Sequence, residues 1–162
     1  MADMRKAFEE VRNMLSGEQS GHGFDHVERV YRLALELAEK EGADKEIVGL
    51  AALLHDCDDY KLAGEEAAEK LPNARRILTM AGADDDMREK VLNIVARMGY
   101  SKSLKGIRPS SLEGKVVSDA DMLDAIGVGG IIRCLQYAVV RCNAFGTPLF
   151  LSLIHISEPT RP

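Results

Sequence analysis

The chain predicts an all-α fold, and two observations carry that expectation. Apolar residues recur at the i, i+3, i+4, i+7 spacing of a helix face, as in Val27, Val30, Tyr31, Ala34, Leu37 and Ala38, and no stretch alternates as a half-buried strand would. Residues 47–54 are apolar nearly all round, the pattern of a helix buried at the centre of a bundle. At 162 residues the chain suits one domain, large enough to bury roughly 70% of its unfolded surface without disulfides.

Taken in order, Ala7, Val11, Met14 and Leu15 mark a first helix, and the stripe from Val27 to Ala38 marks a second that ends near Gly42. Asp44 is placed to cap a third, which runs into the apolar segment. Pro72 divides the next region into a stretch over 63–71 and another over 74–80. Asp84 can cap a helix bearing Met87, Val91, Ile94, Val95 and Met98. Residues 99–114, rich in serine with Gly106 and Pro109, are expected to form a long loop. Two last helices are expected over 119–126 and 130–142.

The chain carries 21 Lys and Arg against 26 Asp and Glu, a formal net charge of −5, and shows no basic stripe interleaved with aromatics, which disfavours nucleic-acid binding. No apolar run near 18 residues and no N-terminal signal pattern occurs, so no membrane span is expected. Cys57, Cys134 and Cys142 are odd in number and lack a CxxC spacing, pointing to a reduced, cytoplasmic protein. Whether it is a monomer or a homodimer stays open. The run Gly127-Val128-Gly129-Gly130 follows no strand and misses the GxGxxG spacing, so it is not a dinucleotide fingerprint, and there is no Walker lysine.

The chemistry lies in His26, the adjacent His55 and Asp56, and Asp121, on three separate helical stretches. Two imidazoles and two carboxylates form a mixed N/O set suited to a divalent ion such as Mn, Fe, Mg, Co, Ni or Zn. The acids crowded after His55, namely Asp56, Asp58 and Asp59, strengthen that suspicion, because carboxylates buried together need a compensating cation. Asp59 follows His55 by four residues and would share its face if the helix continues, where it can take a proton from, or orient, an attacking water. Arg29 shares a face with His26 and can clamp a phosphate, or else pair with Asp25. Lys61, Lys102 and His22 are weaker phosphate candidates. Asp124 either orients neighbouring groups or is a surface charge.

The order H…HD…D, with the words "DHVERV", "AALLHDCDDYK" and "GKVVSDADMLDAIGVGGIIR", resembles the HD-domain phosphohydrolase superfamily, in particular its small one-domain bacterial and archaeal members. The resemblance runs from about Gly21 to Phe150 and implies an HD-domain helical bundle over residues 1–150, shortened at its C-terminal end. It implies Asp121 of the "DAD" block as the ligand, with Asp119 behind it or at a helix N-terminus, and Arg133 as the arginine after the glycine pair. Two-metal members carry further histidines before the last aspartate, and none occurs here between Cys57 and Phe150, so one ion is expected. Relatives often show a histidine where this chain has Arg97-Met98-Gly99-Tyr100-Ser101, and specificity is expected to differ accordingly. Residues 151–162, "LSLIHISEPTRP", do not resemble the family's continuation and read as a non-native tail. The implied function is metal-dependent hydrolysis of a nucleotide or another small phosphate ester. The alternative is an HD-fold sensor or interaction module that binds metal and nucleotide without turnover.

Overall fold

The structure is a computed structural model, and it describes residues 2–18, 21–58 and 65–146. Asp59 and Lys61, and the expected tail at 151–162, lie outside the described residues. Nine helices and no strand occur among those described: α1 (Met4–Leu15), α2 (Phe24–Glu41), α3 (Lys45–Leu54), α4 (Glu65–Lys70), α5 (Pro72–Met80), α6 (Asp85–Ala96), α7 (Tyr100–Leu104), α8 (Leu112–Asp124) and α9 (Gly127–Phe145). The all-α expectation holds.

The helix starts follow from local chemistry. Asp44 accepts from the Glu46 and Ile47 amides at 2.9 and 3.2 Å, and Asp84 from the Met87 amide at 2.9 Å, satisfying donors that a helix N-terminus leaves unpaired. Gly42 ends α2 at φ 73, a left-handed conformation that closes a bond back to the Ala38 carbonyl. Every residue of α3 from Ile47 to Leu54 is buried, as the all-round apolar pattern requires. Helix α3 is packed by α1, α2, α6 and α8, while α2 lies along α8, and Leu50, Leu53, Leu54, Val27, Val30 and Val117 fill the space between.

Three expectations are corrected. The 99–114 stretch is not one loop, because it holds α7 and the start of α8. Ser111 caps α8 by accepting from the Gly114 amide at 3.1 Å, and glycine is needed at 114 because the buried Pro109 packs where a side chain would stand. The last two helices accordingly run over Leu112–Asp124 and Gly127–Phe145, with Gly127 at φ 77 making the turn between them. Asp119 therefore sits inside α8, exposed, and not at a helix start. Helix α9 packs on α8 and leaves Val128, Ile131 and Ile132 exposed. Among the described residues, no single helix is long and apolar enough to cross a membrane.

Candidate metal centre

Helix ends bring the polar residues together. His26 lies in the first turn of α2, His55 and Asp56 at the C-terminal end of α3, and Asp121 and Asp124 in the last turn of α8. Gly23 before α2 is needed for close approach, since a Cβ there would stand 2.9 Å from the Glu18 carbonyl oxygen. His26, His55 and Asp56 are buried, with one ligand atom from each lying within 4.8 Å of the others. The two Nε2 atoms are 3.2 Å apart, and Asp56 Oδ2 is 3.5 Å from each. Asp121 Oδ1 approaches from α8 to 3.4 Å from His26 Nε2 and 3.8 Å from His55 Nε2.

The hydrogen bonding around this group sets how its rings are oriented. His26 Nδ1 is 2.7 Å from Asp124 Oδ2, and His55 Nδ1 is 2.8 Å from the Ala52 carbonyl oxygen. Both partners are acceptors, so each Nδ1 donates outward and each ring directs Nε2 into the group, where its neutral form offers a lone pair. Two imidazole nitrogens and two carboxylate oxygens thus converge on one point. A divalent ion resolves that arrangement, and ligands about 2.1 Å from a shared ion lie about 3.0–3.4 Å apart, close to the observed spacings. The donor set fits a metal of the kind expected from the sequence.

Without an ion, the same crowding shows in the titrations. Burial works against charge on His55, but Asp56 and Asp121 outweigh it and raise its pKa. Burial likewise opposes ionisation of Asp56 and Asp121, and the neighbouring histidines outweigh it and hold both below the usual carboxylate range.

Asp58 is buried yet belongs to the fold. Its carboxylate accepts from the Asn73 amide at 3.1 Å, the Asn73 side chain at 2.9 Å and the Ala74 amide at 2.9 Å, capping α5 from the far side of a chain excursion. It holds the entry to α5, where Leu71 adopts φ 51 without being glycine. Its negative charge needs no cation, so it does not add to the case for a metal. Cys57 is buried, and its thiol pKa is pushed up by burial and by Asp58 and Asp56, which makes it an inert core residue.

A cavity of about 400 Å³ opens beside the donor group, lined by His22, His26, Asp56 and Asp121 and by Arg97, Tyr100, Arg108 and Met122 among others. Of the expected phosphate contacts, His22 and Arg133 line it. His22 also places Nδ1 3.2 Å from Asp56 Oδ2, and Arg133 binds Asp124 at 3.1 Å and the Gly21 carbonyl at 2.7 Å. The Arg29 guanidinium is engaged by Asp124 at 2.7 and 3.1 Å and by Asp25 at 3.1 Å, and Lys102 donates to the Ala96 carbonyl at 2.8 Å. Arg97 and Tyr100, from the segment where specificity is expected to differ, line the cavity too, whereas Arg108 carried no sequence signal and comes to it only through the tertiary fold.

Residues 23–126 match the HD domain family. The chain belongs to that family. It is 40% identical over 129 residues to the uncharacterised protein YpgQ of Bacillus subtilis, covering 79% of this chain and 62% of YpgQ. A Lactobacillus plantarum protein of known structure superposes with a TM-score of 0.75 at 36% identity, over 89% of this chain and 64% of that one. The structure of B. subtilis YpgQ in complex with ADP matches with a TM-score of 0.60 at 34% identity, over 88% and 70% of the two chains. A predicted HD-superfamily hydrolase from an uncultured Thermotogales bacterium matches with a TM-score of 0.65 at 32% identity, over 82% and 74%. The chain thus aligns in sequence with 62% of the length of YpgQ and superposes on 64% of the L. plantarum protein, less than two thirds of each. Its fold is that of HD-superfamily hydrolases, and it carries a His–His–Asp group suited to a metal.

Proposed function

We propose that the chain is a metal-dependent phosphohydrolase acting on nucleotides or related small phosphate esters, with His26, His55, Asp56 and Asp121 holding one divalent ion. The supporting observation is that the His26, His55 and Asp56 group, with Asp121, borders a cavity that arginines also line. A bound divalent ion supplies Lewis acidity toward a phosphoryl oxygen and lowers the pKa of a water. His22 and Arg133, which line the cavity, offset charge on the phosphate, while Tyr100, Ile107 and Met122 offer apolar surface for the rest of the ester. Asp59 is assigned the proton from the attacking water, with Lys61 as a further phosphate contact. Arg29 acts through Asp124 more than on substrate, given its bonds there, and Lys102 is the weakest phosphate candidate. The ADP complex of YpgQ supports a nucleotide in particular.

The test is a panel of nucleoside mono-, di- and triphosphates and simple phosphate esters with Mn, Co, Mg, Ni and Zn, following phosphate and pyrophosphate release. Turnover should vanish in His55→Ala and fall roughly 10²–10⁴-fold in Asp59→Asn, which keeps shape and removes the base. Tight nucleotide binding with no release from any substrate would favour a sensor instead.

A further inference from the structure

We infer that Arg97 and Arg108 form a subsite for a second and third phosphate, so that the cavity takes a phosphate chain rather than a single phosphate group. The inference rests on the phosphohydrolase proposal and adds to it where the rest of the substrate lies. The two arginines flank α7, Arg97 at the C-terminal cap of α6 and Arg108 just before α8, and both line the cavity that holds His26, Asp56 and Asp121.

Their backbone is fixed from both sides. Gly99 at φ 105 and Gly106 at φ 77 turn the chain around α7, conformations that cost other residues strain. The Ile107 amide donates to the Lys102 carbonyl at 3.0 Å, and the buried Pro109 is packed against Gly114, whose added Cβ would meet the Pro109 Cβ at 2.4 Å. Arg108 thus projects from an anchored turn.

Their charge is also uncommitted. Among the described residues neither Arg97 nor Arg108 pairs with a carboxylate, and Arg97 makes only a neutral bond, from Nε to the Asn93 side-chain oxygen at 3.1 Å. Arg133, the third cavity arginine, is bound to Asp124. A divalent ion would balance Asp56 and Asp121, leaving Arg97 and Arg108 as surplus positive charge in a chain of net charge −5. Two guanidiniums, each able to take phosphate oxygens in pairs, match the charge that additional phosphates bring.

The experiment reads binding, not turnover. Inorganic tripolyphosphate and orthophosphate are titrated calorimetrically into chelator-treated protein at low ionic strength, for the wild type, for Arg97→Gln and Arg108→Gln singly and combined, and for His55→Ala. The wild type and His55→Ala should bind tripolyphosphate at least tenfold more tightly than orthophosphate. Each Arg→Gln change should weaken tripolyphosphate about tenfold, with an unchanged thermal midpoint. Equal tripolyphosphate affinity in the double variant, or no preference in the wild type, overturns the subsite. A protein that binds tripolyphosphate in this way yet hydrolyses no ester keeps the subsite and loses the hydrolase.

Discussion

His26 Nδ1 and Asp124 Oδ2 lie 2.7 Å apart, although 98 residues separate them in sequence. Asp124 also receives Arg29 and Arg133, so one carboxylate joins α2, α8 and α9 directly behind the imidazole of a proposed metal ligand. Such a carboxylate fixes the tautomer and ring angle of a ligand histidine and raises its basicity. Asp124→Asn keeps an acceptor of similar shape but removes the charge, leaving two guanidiniums less well compensated. Metal affinity should fall about 10–100-fold by calorimetric titration, with the helical circular dichroism retained. Unchanged affinity would make Asp124 a strut between helices and no more.

Asp124 also predicts an acid transition. Burial raises its pKa, but hydrogen bonds from Arg29 and His26 win and bring it to about 2, against an ordinary 3.8. Between those values the unfolded chain binds more protons than the folded one, so stability rises with pH there. The contribution is present above about pH 4 and is lost as pH falls toward 2, and Asp56 and Asp121, also held low, add in the same direction. The urea midpoint of chelator-treated protein should drop over that window, less steeply in Asp124→Asn.

Metal removal separates site from fold. Chelation should lower the thermal midpoint without erasing helicity, because the ion binds only the folded chain while α3 and its neighbours supply the core independently. Readdition should restore one equivalent per chain by elemental analysis, and His55→Ala should retain none. Uptake should strengthen as pH rises, since the pKa of His55 is raised and protons compete for its lone pair.

Asp58 tests the opposite assignment. Asp58→Ala strands the Asn73 and Ala74 amides at the start of α5 and should cost about 1–2 kcal/mol in urea unfolding. Metal stoichiometry should stay the same. A loss of the ion would return Asp58 to the metal centre.

What the sequence made legible was local. Asp44, Asp84 and Gly42 act within four residues of themselves, so their capping roles were readable from spacing alone. Ser111 was hidden among serines beside Pro109, since only the fold shows which hydroxyl meets the Gly114 amide. Asp58 stood next to Asp56 and resembled part of its acid cluster, while its partners lie 15 and 16 residues on. Arg29 showed its neighbour Asp25 but not Asp124. Arg97 and Arg108 reach the cavity from opposite ends of α7, an arrangement no periodicity encodes.

The junction of α8 and α9 offers the sharpest contrast between two glycines. A Cβ on Gly130 would stand 2.0 Å from the Ala125 carbonyl oxygen and 2.4 Å from its carbon, and backbone atoms cannot swing aside as a side chain can. Gly130→Ala must therefore push the start of α9 off the end of α8. Arg133 lies three residues further along and holds both Asp124 and the Gly21 carbonyl, so the shift would reach the support behind His26. We expect a loss of about 1–3 kcal/mol in stability, together with weaker metal binding. Gly129 is the control, because nothing lies within 4 Å of its added Cβ and its φ is not positive. Gly129→Ala should leave stability unchanged or raise it by about 0.4–1 kcal/mol through the entropy of the unfolded chain, with metal affinity intact. Equal effects from the two substitutions would mean that helix propensity, and not the close approach of α9 to Ala125, governs this junction.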